Sequence, residues 1–460
     1  MKLKQYPKYK DSDLPWIERI PEHWDVLPNR AVFKERNTRG MDQEDLLSVT
    51  IKRGVIRQKE LIESSSKKDS SNEDKSKYKL VNEGDLPYNK MRMWQGAVGV
   101  SRYRGIVSPA YIILNPRENA YSDYYHYLLR SPEYIKESYR YSYGICDDQL
   151  SLRFKDFKVI KSIVPSFEEQ KMIARYLKSK EKKIIQFIRN KRRLIQLLKE
   201  QKQAIINQAV TKGINPDVKM KPSGIDWLGD MPVHWEIKRL KLLYRNIANQ
   251  TNKKEEDDIY IALEHVESWT GKLNLPDEEI PFESQVKRFS MNDVLFGKLR
   301  PYLAKVFKTI CKGVCVGEFL VLRNQSNEVL PAFMEIKLRS SQIIDLINSS
   351  TFGAKMPRAD WKFIGNIMFS YPSIEEQETI ISYISSQIKQ RDTLIDKAEK
   401  EIELIQEYRT RLISDVVTGK VDVRDMKVED VIDEEITDDL DSSEDEQELD
   451  DSVEEVLDEE

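Results

Sequence analysis

Pro165-Ser166-Phe167-Glu168-Glu169-Gln170 opens a long helical pattern that runs to Thr211, and Pro372-Ser373-Ile374-Glu375-Glu376-Gln377 opens a second that runs to Thr418. The offset is 207 residues at both ends, so no insertion separates the copies. In each, Ser-x-x-Glu reads as a capping box: the serine accepts from the N3 amide and the glutamate reaches back to the cap. Gly213 and Gly419 fall just past the ends, where a left-handed residue terminates a helix. A helix of about 45 residues spans roughly 65–70 Å at 1.5 Å per residue.

Spacing of three and four along the first pattern picks out Leu177, Glu181, Ile184, Ile188, Lys191, Ile195, Leu198, Lys202, Ile205 and Ala209. The matching positions of the second are Ile384, Ile388, Arg391, Ile395, Ala398, Ile402, Ile405, Arg409, Leu412 and Val416. This stripe reads as a coiled coil. Pairing within one chain would make an antiparallel two-helix rod with a globule toward each end. Pairing between chains into a dimer is the alternative, and the equal helix lengths favour the first.

Outside the helices the chain repeats again. Trp16-Ile17-Glu18-Arg19-Ile20-Pro21-Glu22-His23-Trp24 matches Trp227-Leu228-Gly229-Asp230-Met231-Pro232-Val233-His234-Trp235 at Trp, Pro, His and Trp. The histidines read as part of an aromatic plug rather than as catalytic groups, because no acidic or nucleophilic partner recurs beside them. Asp85-Leu86-Pro87-Tyr88-Asn89-Lys90-Met91-Arg92 aligns with Asp293-Val294-Leu295-Phe296-Gly297-Lys298-Leu299-Arg300. Gly144 and Gly353 each follow an aromatic shortly before a long helix. Short apolar runs at 110–114, 259–263 and 319–322 predict buried strands, 121–143 predicts a tyrosine-rich helix, and 64–79 a polar surface loop. The expected organisation is an internal duplication of mixed α/β (α+β) globules: 1–165, helix 166–213, 214–372, helix 373–420, and a disordered acidic tail, 421–460.

Composition limits what such a chain does. Three cysteines in 460 residues suggest a reducing cytosol. Cys311 and Cys315 have no second pair nearby, so no metal is expected. No apolar run approaches 18 residues, and no transmembrane helix is expected. The net charge of −4 conceals a division. Residues 429–460 hold 19 acids and no base, which leaves 59 acids against 74 Lys and Arg in residues 1–428, a net of +15. A basic body is an electrostatic footprint for nucleic acid. The chain carries no Gly-x-x-x-x-Gly-Lys-Ser/Thr loop, no Asn-Pro-Pro-aromatic segment and no patterned carboxylate cluster, so no catalytic residues are expected.

These motifs, in this order and twice over, resemble the specificity subunit of type I restriction–modification systems from residue 1 to about 425. The resemblance implies two target-recognition domains, each reading one half of a split, asymmetric site in double-stranded DNA. It implies that the helices set the gap between the halves and dock two methyltransferase subunits. Two restriction/translocase subunits would join them in a complex in the cytoplasm, with no membrane involved. The chain itself would bind no cofactor; S-adenosylmethionine would belong to the methyltransferase subunits, and ATP and magnesium to the restriction subunits. A stand-alone coiled-coil DNA-binding scaffold, or the specificity half of another multi-subunit enzyme, is the alternative. Lys90, Arg92, Lys298 and Arg300 are the first expected DNA contacts, with Arg102, Arg104, Lys355 and Arg358 behind them. Tyr88 and Phe296 read as core. The tail departs from the family pattern. It reads as a solvated extension or as a DNA mimic that folds back on the basic surfaces.

Overall fold

A computed structural model describes residues 4–60, 75–144, 150–276, 285–351 and 356–426. Residues 64–74 of the polar loop, Gly353, Lys355 and the acidic tail from residue 427 lie outside the described residues. The chain divides into two compact units. One comprises residues up to Lys191 together with the chain from Lys400 onward, and the other Arg192–Glu399.

In the first unit a three-stranded antiparallel sheet places Tyr111–Pro116 between Phe33–Arg36 and Leu86–Asn89. The same arrangement recurs in the second unit, with Phe319–Asn324 between Tyr244–Ile247 and Val294–Gly297, and Val306–Lys308 as a fourth strand. Strands expected from apolar runs therefore form, with shifted ends: the first continues through Asn115 and Pro116, and that at Ile259 stops at Ile261. The helix expected over 121–143 is two, Ser122–Leu129 and Pro132–Arg140. Ser131 caps the second by accepting from the Tyr134 amide, and Pro132 cannot continue the first. Tyr88 and Phe296 are fully buried in their cores, as expected.

The long helices are Phe167–Lys212 and Ile374–Val417. They run antiparallel in both units. In the first, Arg409 Nε donates to Glu181 at 3.0 Å and Lys191 pairs with Glu401; in the second, Lys202 pairs with Asp392. Leu177, Ile184, Ile188, Leu198, Ile384, Ile395 and Leu412 are buried along the seam, while Ile195, Ile205, Ile388, Ile402 and Ile405 are half-buried. The polar interruptions of one stripe are thus met by opposite charge on the other helix. The first helix carries 13 Lys and Arg against 4 acids, the second 6 against 10. Such pairs select one register and orientation.

Each globular core is closed by the end of the helix that the other copy begins. Leu412, Val416 and Val417 sit in the core with Trp24, Tyr124 and Leu177. Ile206, Ala209 and Val210 sit with Trp235, Phe333 and Ile384. Gly419, at φ +77°, lies so close that a Cβ there would fall 2.5 Å from Pro21 Cδ and 3.0 Å from the Trp24 ring. The glycine that ends the helix is therefore also the seat of the Pro-x-His-Trp motif.

Candidate nucleic-acid interface

Strand pairing joins the two repeated motifs. Asp25–Pro28, directly after Trp24, pairs antiparallel with Lys161–Val164, directly before Pro165. Glu236–Arg239 pairs in the same way with Met368–Tyr371. One turn into each long helix, the second glutamate then meets the histidine: His23 Nε2 to Glu169 Oε2 at 2.9 Å, and His234 Nε2 to Glu376 Oε2 at 2.7 Å. The other oxygen accepts from Tyr6 Oη at 2.7 Å in the first unit and from Trp235 Nε1 at 3.1 Å in the second.

Two expectations are corrected here. An acidic partner does recur beside each histidine, supplied from 146 and 142 residues away. The capping boxes are also half-formed. Ser166 and Ser373 accept from the Glu169 and Glu376 amides at 3.4 Å, but the glutamate side chains turn to the His-Trp motif instead of the cap. A charged acceptor gains more from these donors than from an exposed cap amide that water already satisfies. The contact fixes the helix entry in each unit.

Gln170 and Gln377, both fully buried, complete the junction. Gln170 Nε2 donates to the carbonyls of Pro165 (2.9 Å) and Asn119 (3.0 Å), and its Oε1 accepts from the Tyr121 amide at 2.8 Å. Gln377 does the same with Pro372 (2.9 Å), Glu328 (2.8 Å) and the Leu330 amide (2.8 Å). Each long helix thus grips the residue that starts the globule's own helix.

The basic segments stand at equivalent corners. Lys90 and Lys298 follow the ends of the strands Leu86–Asn89 and Val294–Gly297. Arg92 and Arg300 each cap a 3-10 turn, Met93–Gln95 and Pro301–Leu303. The incoming chain binds the corner through its backbone: the Lys90 carbonyl accepts from the Leu152 amide at 2.7 Å, and the Lys298 carbonyl from the Ala359 amide at 2.9 Å. Arg358 bridges Leu299, and its side chain reaches Glu318 at 3.2 Å. The second unit thereby gathers Lys298, Arg300 and Arg358 at one corner.

Arg102 and Arg104 do not join the first corner. Residues 97–101 run back along Leu86–Asn89, with the Ser101 amide on the Asp85 carbonyl, so both arginines lie beyond its opposite end. There Arg102 pairs with Asp123, and Arg104 with Glu44 at 2.7 Å. Asp85 and Asp293, the invariant start of the aligned segments, are buried, and each holds an arginine through both carboxylate oxygens, Arg36 and Arg323 respectively. The arginines come from different strands, so the pair survives while its donor has moved. The recurring feature that sequence reading passed over is an aromatic two residues after each Arg: Trp94 and Tyr302.

No family model matches the chain. It is 24% identical to the MjaX type I restriction enzyme specificity subunit of Methanocaldococcus jannaschii, over 92% of this chain and 99% of that protein. It is 24% identical to the MjaVIII specificity subunit of the same organism, over 75% and 81%. The EcoDI specificity subunit of Escherichia coli is 19% identical over 59% and 64%. Among solved structures, a chain from a study of complex assembly and conformational transition of the type I R-M system superposes with a TM-score of 0.64 at 13% identity, over 87% of this chain and 99% of that one. The HsdS subunit of Thermoanaerobacter tengcongensis gives 0.52 at 14% identity, over 87% and 98%. The chain is a homologue of type I restriction–modification specificity subunits and shares the HsdS fold. Among the described residues no helix is long and apolar enough to cross a membrane, and no group of His, Cys, Asp and Glu is placed to hold a metal ion.

Proposed function

We propose that this chain is the DNA-reading, non-catalytic subunit of a type I restriction–modification complex in the cytoplasm. Each globule reads one half of a bipartite, asymmetric site, and the helix pair fixes the gap. The observation that carries this reading is the Lys-x-Arg corner, built at the same place in two globules whose other surface residues differ. Equivalent corners suit phosphate contacts, which position a protein on DNA, while differing surfaces suit base contacts, which specify. Two different surfaces imply two different half-sites.

The helices support a second part of the reading, the docking of two methyltransferase subunits. Phe187 (38% exposed) and Leu197 (40%) stand open on the first helix, and Leu394 (49%) and Leu404 (51%) on the second. These are the same positions under the 207-residue offset. Exposed apolar side chains repeated on both helices fit two copies of one partner laying a helix against each. S-adenosylmethionine would then belong to those partners, and ATP with magnesium to the restriction subunits.

Mapping methylated adenines in the host genome tests the whole. A split motif with a constant gap, lost when the gene for this chain is deleted, is expected. A contiguous or palindromic motif, or methylation that survives the deletion, contradicts it.

A further inference from the structure

We infer that Trp94 and Tyr302 are base-contacting residues, one in each globule, that bind DNA through their rings rather than through charge. The inference rests on the DNA-reading function proposed above and adds a site to it.

Both residues lie at the centre of the 3-10 turn that follows the Lys-x-Arg corner, and an offset of 208 relates them along with Lys90 to Lys298 and Arg92 to Arg300. The globules diverge in loop and helix sequence, yet both keep a large aromatic here. The turn closes alike in both globules even where that closure is strained. Gly96 ends the first turn at φ +92°, and the equivalent residue of the second, Ala304, keeps a left-handed φ of +47° although it has a Cβ. The opening residues differ, Arg300 standing at φ +50° and Arg92 at φ −126°. Left-handed non-glycine residues are uncommon and persist where the surroundings or the function require them. Two of the six such residues among those described flank this one turn.

The rings are presented rather than used as core. Tyr302 is 43% exposed. Trp94 is half-buried and braced: its Nε1 donates to the Met91 carbonyl at 2.8 Å, and its ring meets Tyr139 edge-on at 5.9 Å. Tyr139 is itself 45% exposed. An aromatic beside a Lys and an Arg is the arrangement that lets phosphate contacts bring a ring against a base edge in the groove. The polar handle of each ring is at its rim, so the face can meet a base at little desolvation cost.

The test uses the full chain with its methyltransferase partner on duplexes carrying the mapped site. Trp94→Ala should weaken cognate binding about tenfold and relax discrimination in one half-site only; Tyr302→Ala should do so in the other. Neither removes charge, so the slope of log affinity against log salt stays at the native value. Trp94→Phe should retain most of the affinity, which separates loss of the ring from loss of fold, and thermal unfolding checks that each variant is folded. Binding within twofold of native for both alanine variants overturns the inference. So does an equal loss on cognate and unrelated DNA. Absence of any cognate preference in the native complex would instead sink the DNA-reading function itself.

Discussion

Glu169 and Glu376 serve the His-Trp motif, and Gln170 and Gln377 serve the backbone of the neighbouring loop. Replacing Gln377 by Ala strands the Leu330 amide and two carbonyls in a dry site. An unpaired buried group costs about 1–3 kcal/mol, so a loss on the order of 2–3 kcal/mol is expected in urea titrations of the second unit. The buried Lys337 gives a pH signature. Its ammonium donates to the Val210 carbonyl at 2.7 Å and to Ser370, and it faces the rings of Trp235, Phe333 and Phe369 at 5.4–5.9 Å. Burial without a carboxylate pushes it down to about 7 from the ordinary 10.5. Between those two values the unfolded chain binds the proton and the folded chain does not, so stability rises with pH across that window. Below about pH 7 the full penalty stands. The equivalent carbonyl of the first unit, Val417, accepts from neutral Tyr124 Oη at 3.1 Å. Melting followed from pH 6.5 to 9.5 should therefore show the second unit gaining stability, and Lys337→Met should abolish that gain. At this scale the serine half of each cap and the recurrence of Lys-x-Arg were legible because each is a local spacing. The His–Glu contacts were not, because they depend on which strands pair.

At the scale of the elements, the length, ends and apolar seam of both helices could be read from sequence, since all follow from 3.6-residue periodicity and a terminating glycine. What the seam did not disclose is why its polar interruptions differ between copies. Glu181 meets Arg409, while Lys191 and Lys202 meet Glu401 and Asp392, so each interruption answers a residue at a different position of the other helix and not its own repeat. Leu177→Ala removes a fully buried seam residue and should cost about 2–5 kcal/mol. Leu197→Asp with Leu404→Asp changes only exposed positions. It should leave unfolding within about 0.5 kcal/mol of native while weakening co-purification of the methyltransferase partner. Equal loss of stability and partner would mean that these residues hold the helix pair itself. At the corners, Lys90→Ala or Lys298→Ala should lower affinity for all DNA sequences alike and reduce the salt slope by about one. That outcome is the opposite of the one expected for the aromatic variants.

For the molecule as a whole, the duplication was legible in sequence, but the way it closes was not. Contiguous segmentation sets each helix apart, as 166–213 and 373–420. The compact units combine the start of one helix with the end of the other, because Trp24 seats Gly419 and Trp235 packs with the residues before Gly213. Each long helix starts in one unit and ends in the other, and the proposed function gives spacing to the helices and sequence choice to the globules. The most direct measurement inserts one heptad into each long helix at the level of the Lys191–Glu401 pair, keeping the seam in register, and maps the methylated adenines. Seven residues add about 10 Å of helix, and DNA rises about 3.4 Å per base pair. Unchanged half-site sequences and a gap longer by about one to three base pairs are expected if the helices set the spacing. Altered half-sites with an unchanged gap would contradict it.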